Sequence, residues 1–446
     1  MTTVPTELLL GGAVYSATVP DATAIAVTDG MVVWVGSDDV GRALHPDAHV
    51  TDLGGRFVAP AFVDSHVHLT STGLALLGLT LNDATGRRDC LARVGAAVPG
   101  LDDGEVLWGL GWDDSTWSGP DADDRRFPTT SELDAVADNR PVYLARIDEH
   151  SAVASTALRR LVPDLEQAAG YHPEEPLTAE AHHLVRGAAR QLLTPAHRAR
   201  AQRRALDLAA SRGVVAVHEN GGPDISGLDD FLALADLDHP VEVRRYWGQA
   251  VSDADHAAEL AAITRADALG GDLFIDGAIG SHTAWLTEPY ADDPQSIGIC
   301  YLDREAIRTH VRACTQAGIQ AGFHVIGDAG TEAVVSVFDE LATELGTPAL
   351  ARCAHRLEHA EMVSAAQADV LARCGVIASM QPLFDAAWGG PGELYSQRLG
   401  DGRAPGLNDF AMLAKAGVAL SFSSDAPVTD ICLLYTSDAA DERSSV

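Results

Sequence analysis

The stretch FVAPAFVDSHVHL, residues 57–69, decides how this 446-residue sequence is read. A strand-like apolar run ends in Asp-Ser-His-Val-His, which sets His66 and His68 two residues apart. Residues i and i+2 of a strand face the same side, so both imidazoles can reach one metal ion. Working downstream, strand-length runs recur with helical stretches between them. They are VVAVHENGG (214–222), VEVRRYWG (241–248), DLFIDGAIGSH (272–282), IQAGFHVIGD (319–328), ARCAHRLEHA (351–360), VIASMQPLF (376–384) and VALSFSSDAP (418–427). With 57–69 these make eight, the number that closes a (β/α)8 TIM-type barrel of parallel strands and crossover helices. The α/β domain expected is 59–430. The interval 70–213 is too long for one crossover and is expected to be an insertion over the barrel mouth.

Upstream, LLLGGAVYSA, AIAVTDG, MVVWVGS and VTDLGGRFVAP alternate apolar and polar positions and break at Gly or Asp. Residues 1–58 therefore read as a small antiparallel sheet preceding the barrel.

Active sites of such barrels are built from the C-terminal ends of the strands. His324 ends the fifth predicted strand, His359 the sixth and Asp425 the eighth. Together with His66 and His68 they supply the three or more N/O ligands of a catalytic, zinc-type site. Glu219 ends the second strand, and Asp276 sits in the Asp-Gly of the fourth. Either is a candidate pocket residue or ligand of a second metal. Trp112, with Trp108, Trp117, Trp285 and Trp388, could form an aromatic lid. Arg146, His150 and His282 are further candidates for touching substrate. His182 and His183, and Arg198–Arg204, read as a solvated helix face.

Charge narrows the function classes. Lys and Arg total 31 against 64 Asp and Glu, a net charge of −33. That argues against phosphate-neutralising nucleic-acid binding and against attachment to an anionic membrane. No apolar run is long enough for a transmembrane helix, and the start lacks the features of a signal peptide. Six scattered cysteines without CxxC read as reduced thiols, which predicts a cytoplasmic protein.

The segments GGRFVAPAFVDSHVHL, GLGWDD, IDGAIGSHTAWLTEPYADDP, GFHVIGDAG, RLEHAEMV, SMQPLF and FSSDAPV, taken as a set, resemble the amidohydrolase superfamily. More closely, they are similar to its branch of metal-dependent hydrolases that includes N-substituted formamide deformylase. The resemblance implies a metal-bearing (β/α)8 barrel, a small β-sandwich built from both termini, and hydrolysis of amide-like C–N bonds. It assigns His66, His68, His324 and Asp425 as metal ligands, and His359 as a further ligand or polarising group. Asp425 would also serve as general base and then acid toward water activated by a divalent metal, zinc by donor type.

Members with two metals bridge them through a carboxylated lysine on the fourth strand. Here Asp272 stands in that place, and the only lysine, Lys415, precedes the last strand. A carboxylysine bridge is excluded. The preferred expectation is one metal held by His66, His68, His324 and Asp425, with His359 behind it. Two metals bridged by Glu219 or Asp276 is the alternative. Hydrolytic deamination of a heterocycle and an inactive metal-binding scaffold are the competing functions, and a homodimer is possible. The final ICLLYTSDAADERSSV (431–446) departs from the helix and sandwich strands that the resemblance predicts. It reads as a non-native tail on a truncated fragment, leaving the N-terminal strands an unpaired edge.

Overall fold

The computed structural model describes residues 5–101, 105–121, 123–434 and 436. Most of the expected tail, 437–446, lies outside the described residues. Two compact units divide after Phe62.

The first unit contains β1 (Thr6–Leu10), β2 (Ala13–Val14), β3 (Ala24–Thr28), β4 (Met31–Gly36), β5 (His49–Asp52) and β6 (Phe57–Val58). Four of these form a sheet in the order β4-β3-β1-β5, and β2 pairs with β6. Asp29 and Gly30 both take positive φ, 51° and 72°, which is what a two-residue hairpin between β3 and β4 requires. The sheet is not wholly antiparallel as expected, because β5 pairs with β1 in parallel. Leu8, Leu10, Ala24 and Ala26 form its small core.

The second unit is α/β. It begins with β7 (Phe62–Val67) and continues into a five-stranded sheet within the insertion. That sheet comprises β8 (Leu79–Thr80), β9 (Leu107–Trp112), β10 (Val142–Arg146), β11 (Ser151–Ala154) and β12 (Leu177–Thr178). Of these, β10 falls within the strand-like run PVYLARIDEH (141–150).

There follow β13 (Val214–Gly221), β14 (Glu242–Trp247), β15 (Gly322–Val325), β16 (Arg356–His359), β17 (Ile377–Met380) and β18 (Ala419–Phe422). They lie in two sheets, β14-β13-β7 and β15-β16-β17-β18. The ladders β13/β14, β15/β16, β16/β17 and β17/β18 are all parallel. Single parallel bridges extend them: Val67 to Ala426, Tyr246 to Ala268, Leu269 to Ala321 and Phe274 to His324.

The fourth expected strand, 272–282, is not a strand. Its pairing is reduced to bridges at 268, 269 and 274, because Gly270 and Gly271 interrupt the run. A Cβ on Gly270 would stand 2.2 Å from the backbone nitrogen of Gly322, so the close approach there demands glycine.

Period-two alternation explains how these strands serve two masters. Phe323 and Val325 of β15, Leu357 of β16, and Ala378 and Met380 of β17 join one apolar core. Helices Arg304–Ala317, Asp328–Leu345 and Ala365–Cys374 cover it with Val311, Phe338 and Leu371. The helices are well delimited. Asp303 caps the first, and Gly318 ends it in the left-handed region; Ser364 and Gln367 form a capping box on the third. The intervening strand positions, His324, Arg356, Glu358 and Ser379, are equally buried but polar. These turn to the other face, where the candidate site lies. The helix Ala179–Gln191 departs from expectation: His182, Arg186 and Arg190 lie on its buried face, and His182 Nε2 meets the Tyr143 hydroxyl at 2.7 Å.

Candidate metal centre

His66 and His68, at the end of β7, project to the same side, as the i, i+2 spacing predicts. The Nε2 atoms of His66 and His68 lie 3.5 and 3.1 Å from Oδ2 of Asp272. They lie 3.4 and 3.3 Å from Oδ1 of Asp425. Oδ1 of Asp272 faces the other pair, 3.5 Å from His324 Nδ1 and 3.8 Å from His359 Nε2. Asp272 thus stands between two pairs of imidazoles, with one oxygen toward each.

His359 reaches this place by breaking the alternation of its strand. Glu358 and His359 are neighbours that a regular strand would point apart. The left-handed φ of His359 (68°) and Ala360 (46°) turns the chain so that both serve the site. Asp425 takes φ 52°, and its N–H donates to the carbonyl of His66 at 2.9 Å.

Every imidazole is fixed from behind. His66 Nδ1 donates to Glu358 Oε2 (2.9 Å), and His68 Nδ1 donates to the carbonyl of Asn220 (2.9 Å). His324 Nε2 donates to the carbonyl of Gly277 (3.2 Å). His359 Nδ1 donates to Gln381 Oε1 (2.8 Å), while the Gln381 amide nitrogen donates to Ser423. Each ring therefore turns the lone pair of its other nitrogen toward the shared space, the arrangement by which outer partners orient metal-binding histidines. Glu358 is itself held by Arg356, whose Nη2 donates at 2.9 Å and whose Nε makes a second bond.

The donor set fits a divalent cation. His66 Nε2, Asp272 Oδ1 and Asp425 Oδ1 are buried and make no hydrogen bond. Three overlapping groups could each hold an ion: His66, His68 and Asp272; His66, His359 and Asp425; and Asp272, His324 and His359. Electrostatics agree. Burial alone would depress His66, but the Asp425 and Asp272 carboxylates overcome it and hold the imidazole protonated up to about 10. His68 is raised against burial by the same two acids. Two carboxylates in this enclosure call for positive charge, which protons supply to the chain by itself and a divalent ion supplies without occupying the lone pairs with hydrogen.

The site opens onto a cavity. His324, His359 and Asp425 form its floor, Phe384, Trp388 and Leu394 its apolar wall, and His150 and Glu361 add polar groups.

Several expected residues lie elsewhere. Glu219 accepts the Leu69 N–H at 2.7 Å. Asp276 accepts three backbone N–H groups, from Trp285, Ile326 and Gly327. Neither joins the histidines; Asp272 does. Trp112 is buried in the insertion's core, with Nε1 donating to the carbonyl of Leu144, and does not line the cavity. Of the five tryptophans only Trp388 does. Arg146 is buried but taken up by Asp113, Asp114 and Asp148. His282 pairs with Asp292 outside the cavity. Lys415 is exposed on the helix Phe410–Ala416. Among the described residues no helix is long and apolar enough to cross a membrane. Sequence reasoning did not single out Glu358, Arg356 or Gln381. An Arg-x-Glu alternation inside an otherwise core-forming strand is the signal that could have exposed the first two.

The sequence profile of the amidohydrolase family matches residues 49–446, and the chain belongs to that family. It is 27% identical to Protein LONG AFTER FAR-RED 3 of Arabidopsis thaliana, over 98% of this chain and 78% of that protein. It is 22% identical to N-substituted formamide deformylase of Arthrobacter pascens, over 91% of this chain and 77% of that protein. Among solved structures, a metal-dependent hydrolase from Pyrococcus horikoshii shares the fold with a TM-score of 0.72 and 24% identity, covering 98% of this chain and 86% of the other.

Proposed function

We propose that this chain is a metal-dependent hydrolase cleaving a non-peptide carbon–nitrogen bond, of amide or formamide type, in a small molecule. The observation that carries the reading is the convergence of four back-anchored imidazoles on two carboxylates whose inward oxygens are unbonded. We read the site as binuclear and zinc-binding: His66, His68, His324, His359, Asp272 and Asp425 would hold the ions, and Asp272 takes the part first sought in Glu219 or Asp276. The two parallel sheets and the single bridges that link them are, in this reading, one closed (β/α)8 barrel. The name of the Arthrobacter relative supports the formamide class.

When bound, divalent ions of this kind lower the pKa of water from about 15.7 toward roughly 7 and polarise a carbonyl oxygen. The chain's own groups do the rest. Asp425, at the cavity floor, takes the proton from the attacking water and returns it to the leaving nitrogen. His150 touches the substrate from the side, and the Phe384, Trp388 and Leu394 wall receives its apolar part and excludes bulk water. All six cysteines are unpaired, which supports a cytoplasmic setting.

The test is metal analysis of the purified chain with a panel of N-substituted formamides and amides, reading amine, acid and ammonia separately. Two ions per chain and amine release are expected, and Asp425→Asn should lower turnover by about 10²–10⁴-fold. Undiminished hydrolysis after exhaustive chelation, or in Asp425→Asn, would overturn the mechanism. Ammonia as the sole nitrogen product would select deamination.

A further inference from the structure

Three rings from distant parts of the chain stand together beside Asp272: His183 of the helix Ala179–Gln191, Phe274 of the segment before β15, and Tyr301. The His183 ring lies 5.7 Å from that of Phe274 and 6.4 Å from that of Tyr301, and the latter two are 6.4 Å apart. These are the spacings of packed aromatic side chains. Phe274 also meets the ring of His324 edge-on at 4.8 Å, which ties the cluster to the donor set. Tyr301 is anchored by its N–H, which donates to the carbonyl of Ile275 at 2.8 Å. Burial and the nearby Arg186 keep the His183 ring uncharged, down to about 3. All three rings are only half-buried.

The space they face is a cavity of about 380 Å³, walled also by Leu184, Ile225 and Leu302 and bordered by Asp272. That size falls in the roughly 300–1,000 Å³ range of small-molecule sites. The cavity beside Phe384 and Trp388 measures only about 40 Å³, room for a few heavy atoms. A third cavity joins the two. It shares His183, Asp272 and Phe274 with the wide one, and His324, His359 and Asp425 with the narrow one. The candidate metal ligands therefore sit where a wide space and a narrow space meet. The remaining acids of the wide cavity, Glu180 and Asp224, are exposed and disfavour an anion there, whereas the rings and aliphatic side chains suit a neutral apolar group.

We infer that the substrate lies across the candidate metal centre, with a ring-bearing apolar N-substituent in the cavity of His183, Phe274 and Tyr301 and an acyl group of a few heavy atoms against Phe384 and Trp388. The inference rests on the hydrolase reading for the bond that is cut, and on the two unequal cavities for which half of the molecule carries the bulk. A formyl carbon bears nothing larger than hydrogen, so it fits the narrow side, and the nitrogen must then carry whatever fills the wide one. The rings offer flat faces to that substituent, and specificity for the amine half is set there.

The test uses the full chain, first without metal. N-(2-phenylethyl)formamide and N-ethylformamide are titrated calorimetrically. The phenyl compound should bind about tenfold more tightly or better, the effect of burying one ring. Leu184→Trp fills the wide cavity from a position that is 41% exposed, so the fold tolerates it, and it should bring the two affinities together. Tyr301→Ala, which removes one ring, should lower the preference by a smaller factor. On the other side, N-(2-phenylethyl)benzamide should bind about tenfold more weakly than the formamide, and Phe384→Ala should narrow that gap. Equal binding of the two formamides by the wild-type chain overturns the proposal, as does a preference that survives in Leu184→Trp. N-ethylbenzamide binding more tightly than N-(2-phenylethyl)formamide also overturns it, since the bulk then lies on the acyl side. Hydrolysis is read separately on the zinc-loaded chain. Cleavage of both formamides with equal kcat/KM, and no effect of Leu184→Trp on any probe, leaves the hydrolase reading standing and removes this one. A phenyl preference lost in Leu184→Trp, without hydrolysis of any panel member, keeps the aromatic cavity and removes the hydrolase reading.

Discussion

Asp276 separates a structural carboxylate from a metal ligand in one experiment. Its Oδ2 accepts the N–H groups of Trp285 (2.9 Å) and Gly327 (2.7 Å), and its Oδ1 that of Ile326 (3.0 Å). It therefore clamps two segments, one of which leaves β15 directly after His324. In Asp276→Asn the side chain keeps one acceptor. Turned so that this oxygen serves Trp285 and Gly327, it orphans only the Ile326 amide. A buried donor left unmade costs about 1–3 kcal/mol, so that is the expected loss. Asp276→Ala orphans all three donors, and its loss should be about threefold larger. For a unit of roughly 380 residues the entropy of unfolding is about 0.8 kcal/mol per degree. The asparagine variant should then melt about 1–4 °C lower, and the alanine variant about 4–11 °C lower. Calorimetry in chelator isolates this effect from metal binding, and atomic emission on the reloaded proteins gives the metal count. A clamp leaves the count at the wild-type value. Loss of one equivalent of metal with an unchanged metal-free melting temperature would refute the reasoning and make Asp276 a ligand.

Replacing Glu358 by Gln removes the charged acceptor behind His66 Nδ1. Metal affinity should fall by about 10–100-fold in competition with a fluorescent chelator, and unaltered affinity would count against the anchoring role. Lys415→Gln should bind metal and turn over like the wild type, since the side chain is exposed on its helix away from the donor set; a lost metal would reopen the carboxylysine question. Acid should act through His355, whose Nδ1 accepts the Ala321 N–H at 2.9 Å and is held neutral, down to about 3, by burial and by His310. Because its folded pKa lies below the ordinary 6.5, its stabilisation is complete above that value and is lost as the pH falls. Between pH 7.5 and 5.5 the loss is about 1.4 kcal/mol, read as the difference in urea stability between wild type and His355→Asn across that range. Identical pH profiles for the two proteins would exclude it.

The candidate ligands His66, His68, His324, His359 and Asp425 were legible because strand periodicity and strand ends are local properties of sequence. Asp272 was visible only as the occupant of a missing lysine's position. Its central role comes from a segment that pairs through isolated bridges, after two glycines have displaced the strand expected there. Glu358 was hidden for the opposite reason. Its neighbour His359 obeys no alternation, since positive φ at the strand end brings adjacent residues to one place. Gln381 and Arg356 act across strands, through contacts that no local pattern encodes. His182 was misread as solvated because the polar and charged residues around it on Ala179–Gln191 look exposed until that face is seen to be buried.

The backbone joins His66, His68 and Asp425 as closely as any side chain does. The carbonyl of His66 accepts from the Asp425 N–H, and the His68 N–H donates to the carbonyl of Ala426, across some 360 residues of chain. Contacts so distant along the chain close last, after the loop entropy of everything between them has been overcome. During synthesis the two histidines emerge early and must wait for Asp425. Capture of a metal by these residues would thereby be timed to the completion of folding, and would report that β7 and the segment after β18 have met.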